Sequence, residues 1–273
     1  MLDSIKEFIP SIHKEGYFFI SVFAIITLIL FMWSQQLGWI GFILTLWCIF
    51  FFRDPNRVVP NQNNVLVSPA DGIIQKIEKA KMPKEIASND KEMNKISIFL
   101  NVFDVHVNRI PISAKVKKLS YHHGKFFNAS LDKASEHNER QSVLLELNDK
   151  QEVGVIQIAG LIARRIVCDL KKDQEVSTGE RFGIIRFGSR VDVYLPDHFE
   201  IKVLEGQRMI GGESVIAELK DIKKSKPAPS KSTSTKSMTI STNKKNIKKS
   251  TKTSTAKVKV SKSKVNTKVS DKK

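Results

Sequence analysis

The sequence predicts a mainly β core of sandwich or barrel type, with an N-terminal pair of membrane helices and a disordered basic tail. Three observations carry this prediction. Residues 16–52 are 37 consecutive uncharged positions between Glu15 and Arg53. From about Asn64 to Leu219 the chain breaks into short β-rich runs spaced ten to fifteen residues apart. From Asp221 onward it is Lys, Ser and Thr with almost no aromatic residue. The organisation that follows is an anchoring segment over 1–57, a core over 58–220 and a tail over 221–273.

A single helix of 37 residues at about 1.5 Å per residue far exceeds a hydrocarbon layer of about 30 Å. Ser34-Gln35-Gln36-Leu37-Gly38 divides the run into Tyr17–Trp33 and Leu37–Phe52, so a tight helical hairpin and one span plus an interfacial segment both fit. All three Trp and eight of the sixteen Phe fall here, and such rings favour the bilayer boundary. The second apolar stretch, and the lack of a small-residue cleavage site after the first, argue against a removed signal peptide. A buried core helix pair is the plain alternative, disfavoured because nothing charged interrupts either stretch. Lys6 and Lys14 flank one side and Arg53 and Arg57 the other, so the positive-inside bias places both ends, and the core after them, in the cytoplasm.

The β runs are Val65–Val67, Gly72–Ile77, Ile96–Leu100, Val143–Leu147, Val153–Ala159, Arg165–Cys168, Phe182–Phe187, Arg190–Leu195, Phe199–Val203 and Val215–Leu219. Arg190-Val-Asp-Val-Tyr-Leu alternates polar and apolar, as a half-buried strand does. Turn residues such as Pro69-Ala-Asp-Gly, Leu147-Asn-Asp-Lys and Pro196-Asp punctuate the runs, which suits antiparallel strands. Asp132–Arg140 reads as a short helix or a loop.

Charge distribution decides what the net charge of +17 means. Residues 221–273 hold 17 Lys against two Asp, whereas the other 220 residues hold 28 basic and 26 acidic side chains. The excess therefore belongs to the tail, which has too little apolar surface to fold and could adhere to an anionic lipid surface. No base-stacking residues accompany it, so no specific nucleic-acid partner is expected. Cys48 and Cys168 are too few for a disulfide scaffold, and no His or Cys set has metal-ligand spacing, so no metal is expected.

Three patches carry candidate chemistry. Ser68-Pro-Ala-Asp71-Gly72 is a turn entering a strand, where Asp before Gly serves backbone geometry as readily as catalysis. In Asn101-Val-Phe-Asp-Val-His-Val-Asn-Arg109, alternation puts Asp104, His106 and Asn108 on one face, and a His there could meet solvent or move protons in a cleft. Arg186-Phe-Gly188-Ser189-Arg190 is either a hairpin turn or a Ser hydroxyl held beside an unhindered Gly carbonyl.

Taken in this order, the patches resemble the phosphatidylserine decarboxylase proenzymes, in their shorter form. Phe52-Arg-Asp-Pro-Asn-Arg57, Tyr121-His-His-Gly-Lys-Phe-Phe-Asn128, Lys133-Ala-Ser, Asn138-Glu-Arg140, Gln157–Ile166 and Gly179-Glu-Arg-Phe-Gly183 are similar to that family's pattern, from the membrane segment to about Leu219. The resemblance implies that Ser189 attacks the Gly188 carbonyl, that the chain is cut into β (1–188) and α (189–273) parts that stay together as a heterodimer open to further oligomerisation, and that Ser189 becomes a covalent pyruvoyl group. Such a group forms a Schiff base with the amine of phosphatidylserine and takes the electron pair left by CO₂, as pyridoxal phosphate does elsewhere. The resemblance further implies Asp71 and His106 as partners of the Ser, with His106 also returning the proton. Asn108, Arg109 and His122 are candidates for binding substrate, and of the adjacent His122 and His123 at most one can line a site on a strand.

Two positions depart from longer members of the family. Arg109 stands where they carry a second His, and Arg190 follows the cleavage Ser where they have Thr. A competing reading from another class is a membrane-tethered lipoyl-like carrier, with Lys133 in Leu131-Asp-Lys-Ala as attachment site.

Overall fold

In a computed structural model the residues described are 11–62, 64–129, 137–161, 165–186 and 189–220. The expectations for Lys133, Gly188, most of 132–140 and the tail fall outside them. Two helices, α1 (Gly16–Trp33) and α2 (Gln35–Phe51), follow the short strand β1 (Ser11–Ile12) and precede β2 (Arg53–Asp54), which pairs back with β1. Then come β3 (Val65–Val67), β4 (Gly72–Lys81), β5 (Glu92–Leu100), β6 (Val107–Arg109), β7 (Ala114–His122), β8 (Arg140–Glu146) and β9 (Glu152–Ala159). The chain continues with β10 (Ile166–Cys168), β11 (Glu175–Val176), β12 (Arg181–Ile185), β13 (Ser189–Leu195), β14 (Phe199–Ile201), β15 (Arg208–Met209) and β16 (Val215–Leu219).

The helices form a hairpin. The hydroxyls of Thr27 and Thr45 meet at 3.0 Å, and each also donates to a carbonyl one turn back in its own helix, Phe23 and Gly41. A Cβ on Gly41 would come within 2.8 Å of the Thr27 hydroxyl, so the small residue sets how closely the helices approach. The outward side chains are apolar and exposed, among them Phe18, Leu28, Trp33, Trp39 and Ile43. By length and composition α1 suffices to cross a bilayer.

The core is antiparallel, as predicted. Eight strands form one sheet in the order β11-β7-β8-β9-β13-β5-β4-β15, and two three-stranded sheets, β10-β12-β6 and β14-β16-β3, complete it. Ile96, Ile98, Val155, Val191 and Val193 of the large sheet share one cluster with Leu66, Phe182, Phe199 and Ile216 of the small ones. The opposite face of the large sheet is also covered, by a cluster containing Met82, Ile86, Ile156, Ile158 and Tyr194. All seven residues of β13 are therefore buried, and the half-buried reading of Arg190–Leu195 is corrected: Arg190 and Asp192 lie inside as an ion pair at 2.9 Å.

Sequence periodicity missed β7. Its alternation is interrupted by a bulge between Val116 and Lys118, and Lys115, Lys117 and Lys118 crowd it with charge. The alternation drawn through Asp104, His106 and Asn108 also needs correction. Only Val107–Arg109 is strand, and Asp104 instead closes the preceding turn, its carboxylate accepting the Asn101 N–H at 2.9 Å.

Hairpin and core meet in a third apolar cluster of Cys48, Phe51, Phe52, Val105, Val107 and Ile184. Because the Phe51 ring is fully buried there, Phe51→Ala should cost about 3–5 kcal/mol and lower the melting temperature in detergent. Ile43→Ala, on the exposed side of the hairpin, should leave that temperature nearly unchanged.

Candidate active site

Ser189 opens β13, in the middle of the large sheet, paired with Leu100 of β5 on one side and Ala159 of β9 on the other. Its side chain points to the face that carries Val191 and Val193, is fully buried, and its Oγ has no hydrogen-bond partner among the described residues. A buried hydroxyl without a partner costs stability, and a strand rich in Val and Ile offers no reason to keep it.

The other two patches converge on this end of the sheet. The Arg109 N–H donates to the Pro69 carbonyl at 2.8 Å, and the Ile185 N–H donates to the His106 carbonyl at 3.3 Å. Leu100, in register with Ser189, leads directly into the 101–106 turn. Asp71 precedes and Gly72 starts β4, the neighbour of β5. Gly72 has φ +152°, and a Cβ there would run into the Phe99 carbonyl. Backbone geometry thus requires the Gly of this turn.

His106 is wholly buried, with its ring 4.5 Å from that of Phe51 on α2. The Asp104 carbonyl lies 3.0 Å from its Nδ1, so Nδ1 carries the hydrogen and the lone pair sits on Nε2. Burial pushes its pKa down to about 4; the Asp104 carbonyl opposes this and the nearby Arg53 charge adds to it. At neutral pH the ring is an uncharged proton acceptor.

Asp71 is held by Arg57, whose Nη2 donates to Oδ1 and Oδ2 at 2.9 and 2.7 Å, and by the Gly211 N–H at 2.8 Å. Burial raises its pKa and outweighs the Gly211 N–H and the Arg57 charge, which pull it down. Its hydrogen bonds among the described residues go to these two groups rather than to His106.

The candidate binding residues separate. Asn108 is buried, and its Oδ1 accepts a 2.7 Å hydrogen bond from Gln157 Nε2. Gln157 is two residues before Ala159 on the Ser189 face, and both Asn108 Nδ2 and Gln157 Oε1 lack partners among the described residues. Arg109 spends its guanidinium on the Gly179 and Pro55 carbonyls, both at 2.9 Å, and on Asp54 at 3.4 Å. His122 is exposed and in register with Arg140, Ile158 and Arg190, which puts it on the opposite face and three strands from Ser189. Among the described residues no cluster of His, Cys, Asp or Glu could hold a metal ion.

Sequence reasoning overlooked two contributors. Gln157 sits as a lone amide in the apolar run of β9, and that mismatch was the available signal. The segment Phe52–Arg57 was read as a topology flank and as part of the family pattern, with no contact assigned to it, yet it clasps hairpin to core: Asp54 takes Arg181 at 2.7 Å, Asn56 takes Arg181 at 3.2 Å, and Arg57 takes Asp71.

Comparison with known proteins identifies the family. Residues 44–217 match the family model described as phosphatidylserine decarboxylase. The chain is 58% identical over 207 residues to the phosphatidylserine decarboxylase proenzyme of Rickettsia typhi, covering 76% of this chain and 90% of that protein. The proenzymes of Rickettsia prowazekii and Rickettsia akari, at 58% and 59% identity, are covered to the same extent.

The buried His106 gives a signed pH dependence. An unfolded His titrates near 6.5 and this one near 4, so the unfolded state binds more protons between those values. Stability should therefore fall by roughly 3 kcal/mol as pH drops from about 6.5 to about 4. Thermal unfolding across that window checks this, and the His106→Gln variant should lose most of the slope.

Proposed function

The chain belongs to the phosphatidylserine decarboxylase family, and on that footing we propose that it cuts itself at Gly188-Ser189 and then converts phosphatidylserine to phosphatidylethanolamine and CO₂. The observation that carries the reading is the buried Ser189 hydroxyl, without a partner among the described residues, where the three patches meet.

The hydroxyl adds to the preceding carbonyl and expels its own amide nitrogen, turning an amide into an ester. Removal of the Ser189 α-proton then breaks the Cβ–O bond, frees the carboxylate of residue 188 and leaves a dehydroalanine. Water takes the place of the nitrogen, which departs as ammonia, and a pyruvoyl group remains on the new amino end. The Arg57-held carboxylate of Asp71 and the Nε2 lone pair of His106 are the groups for these proton movements. The pyruvoyl group supplies an electrophilic carbonyl that takes the substrate amine and accepts the electron pair released with CO₂. His106, shielded by Phe51, takes a proton at Nε2 as the substrate ammonium gives up its protons on condensing, and returns it to the substrate carbon.

The location of Ser189 supports a lasting pair of chains. After the cut, β13 still has β5 on one side and β9 on the other, so the 189–273 chain starts as a buried central strand of the 1–188 chain. The apolar hairpin supports attachment to the cell membrane, and the basic flanks Lys14, Arg53 and Arg57 favour a core on the cytoplasmic side. The Lys-rich tail suits contact with anionic lipid at the same surface.

Intact mass tests the cleavage. The purified protein should give two chains, 1–188 and 189–273, the second lacking a free amino end. Ser189→Ala should give one uncut and inactive chain, because only a hydroxyl or thiol can shift the acyl group. A continuous chain carrying extra mass on Lys133 would instead indicate the carrier. Phenylhydrazine, which traps ketones, should stop CO₂ release in the mature protein, and activity surviving demonstrated labelling would exclude the pyruvoyl route.

A further inference from the structure

Five guanidinium groups gather where the hairpin meets the core, those of Arg53, Arg57, Arg109, Arg181 and Arg208. Four of them face carboxylates. Arg57 holds Asp71, Arg109 and Arg181 share Asp54, and Arg208 pairs with Asp104. Arg53 is different. Its Nη1 donates to the Phe50 carbonyl and its Nη2 to the Phe103 carbonyl, both at 2.8 Å, and its carbon lies 3.8 Å from the centre of the Phe50 ring. These neutral contacts fix the plane of the group; Asp71 and Asp104 act on its charge from a distance, but no carboxylate among the described residues forms an ion pair with it. Of these five guanidinium groups, Arg53 is the one that makes no ion pair among the described residues.

The setting of Arg53 selects the kind of anion. It stands two residues past the last residue of α2, Phe51, at the exit of an apolar helix, and so reaches the head-group level if the hairpin spans. Phe103, whose carbonyl it holds, stands 61% exposed at the tip of the 101–106 turn and presents an apolar ring at the same place. That turn begins one residue after Leu100, the register partner of Ser189. Arg53 also exerts its charge on His106. An amphiphile whose anionic group lies a few bonds from a reacting amine matches this combination of cation, exposed ring and buried Ser.

We propose that Arg53 seats the phosphate of the phospholipid substrate, with Phe103 dipping beside it into the lipid surface. The assignment rests on the phosphatidylserine reading above and names the residue that holds the head group by its phosphate. A guanidinium with its plane fixed retains N–H donors for a phosphate oxygen, a charge-assisted contact that a Gln cannot replace.

The test uses the full-length protein in detergent with dihexanoyl phosphatidylserine below its micelle concentration, so that membrane anchoring does not enter. Arg53→Gln should mature into two chains, raise KM ~10-fold or more and leave kcat within about two-fold, with a smaller rise for Arg53→Lys. An unchanged KM for this monomeric substrate would make Arg53 a membrane anchor only and overturn the proposal, as would a fall in kcat alone. If only Arg53→Lys matures, its KM decides in the same way, and failure of both variants to mature assigns Arg53 to folding and overturns it as well. Wild-type protein that stays uncut or releases no CO₂ would instead defeat the underlying reading, which separates the two failures.

Discussion

The pairing of β13 with β5 and β9 is the constraint on which the rest of the site depends. Its first residue is Ser189, so this serine enters the sheet at a point where both neighbouring strands hold the backbone. Side chains above and below are packed, and the hydroxyl has no room to rotate into water. A buried serine hydroxyl without a partner among the described residues carries a cost in stability, offset by the apolar contacts of Val191 and Val193 further along the strand. The same strand carries Arg190 and Asp192 inward on its other face, where each charge is tolerated because the other is there.

A second layer of organisation comes from the clasp at the helix exit. Phe51 and Phe52 fill the seam with Val105, Val107 and Ile184, and the next five residues hand ionic contacts to three different parts of the core. The hairpin consequently does more than tether. It supplies the ring that covers His106 and, through Arg57, the cation that orients Asp71. His106, Asp71 and the helix exit are one packed unit, and the electrostatics of the site cannot be described without residues from both hairpin and core.

Much of this was legible in the chain and some was not, for physical reasons. The hairpin was readable because charge is absent over a long window, and the runs matching β5, β9, β13 and β16 because Val and Ile cluster between turn residues. Ser189, His106 and Asp71 stood out as short patterns that resemble a family. Pairings between distant residues were not readable. Asp71 finds Arg57 and Arg109 finds Asp54 only after the sheets assemble, and a local pattern holds no trace of either. The strand β7 escaped because its bulge shifts the alternation by one residue midway. The solvent face assigned to Arg190 and Asp192 followed the usual rule that charge is outside, and a paired charge in a two-sided sheet is its standing exception.

The seam of Phe51 and Phe52 against Val105, Val107 and Ile184 also bears on any attempt to make a water-soluble form by truncation. Deleting residues up to 57 would strip an oily patch bare and remove the ring that lies against the His106 imidazole in one cut. A detergent-free version would have to graft a substitute lid over those side chains, so simple trimming would yield aggregates before it yielded an enzyme.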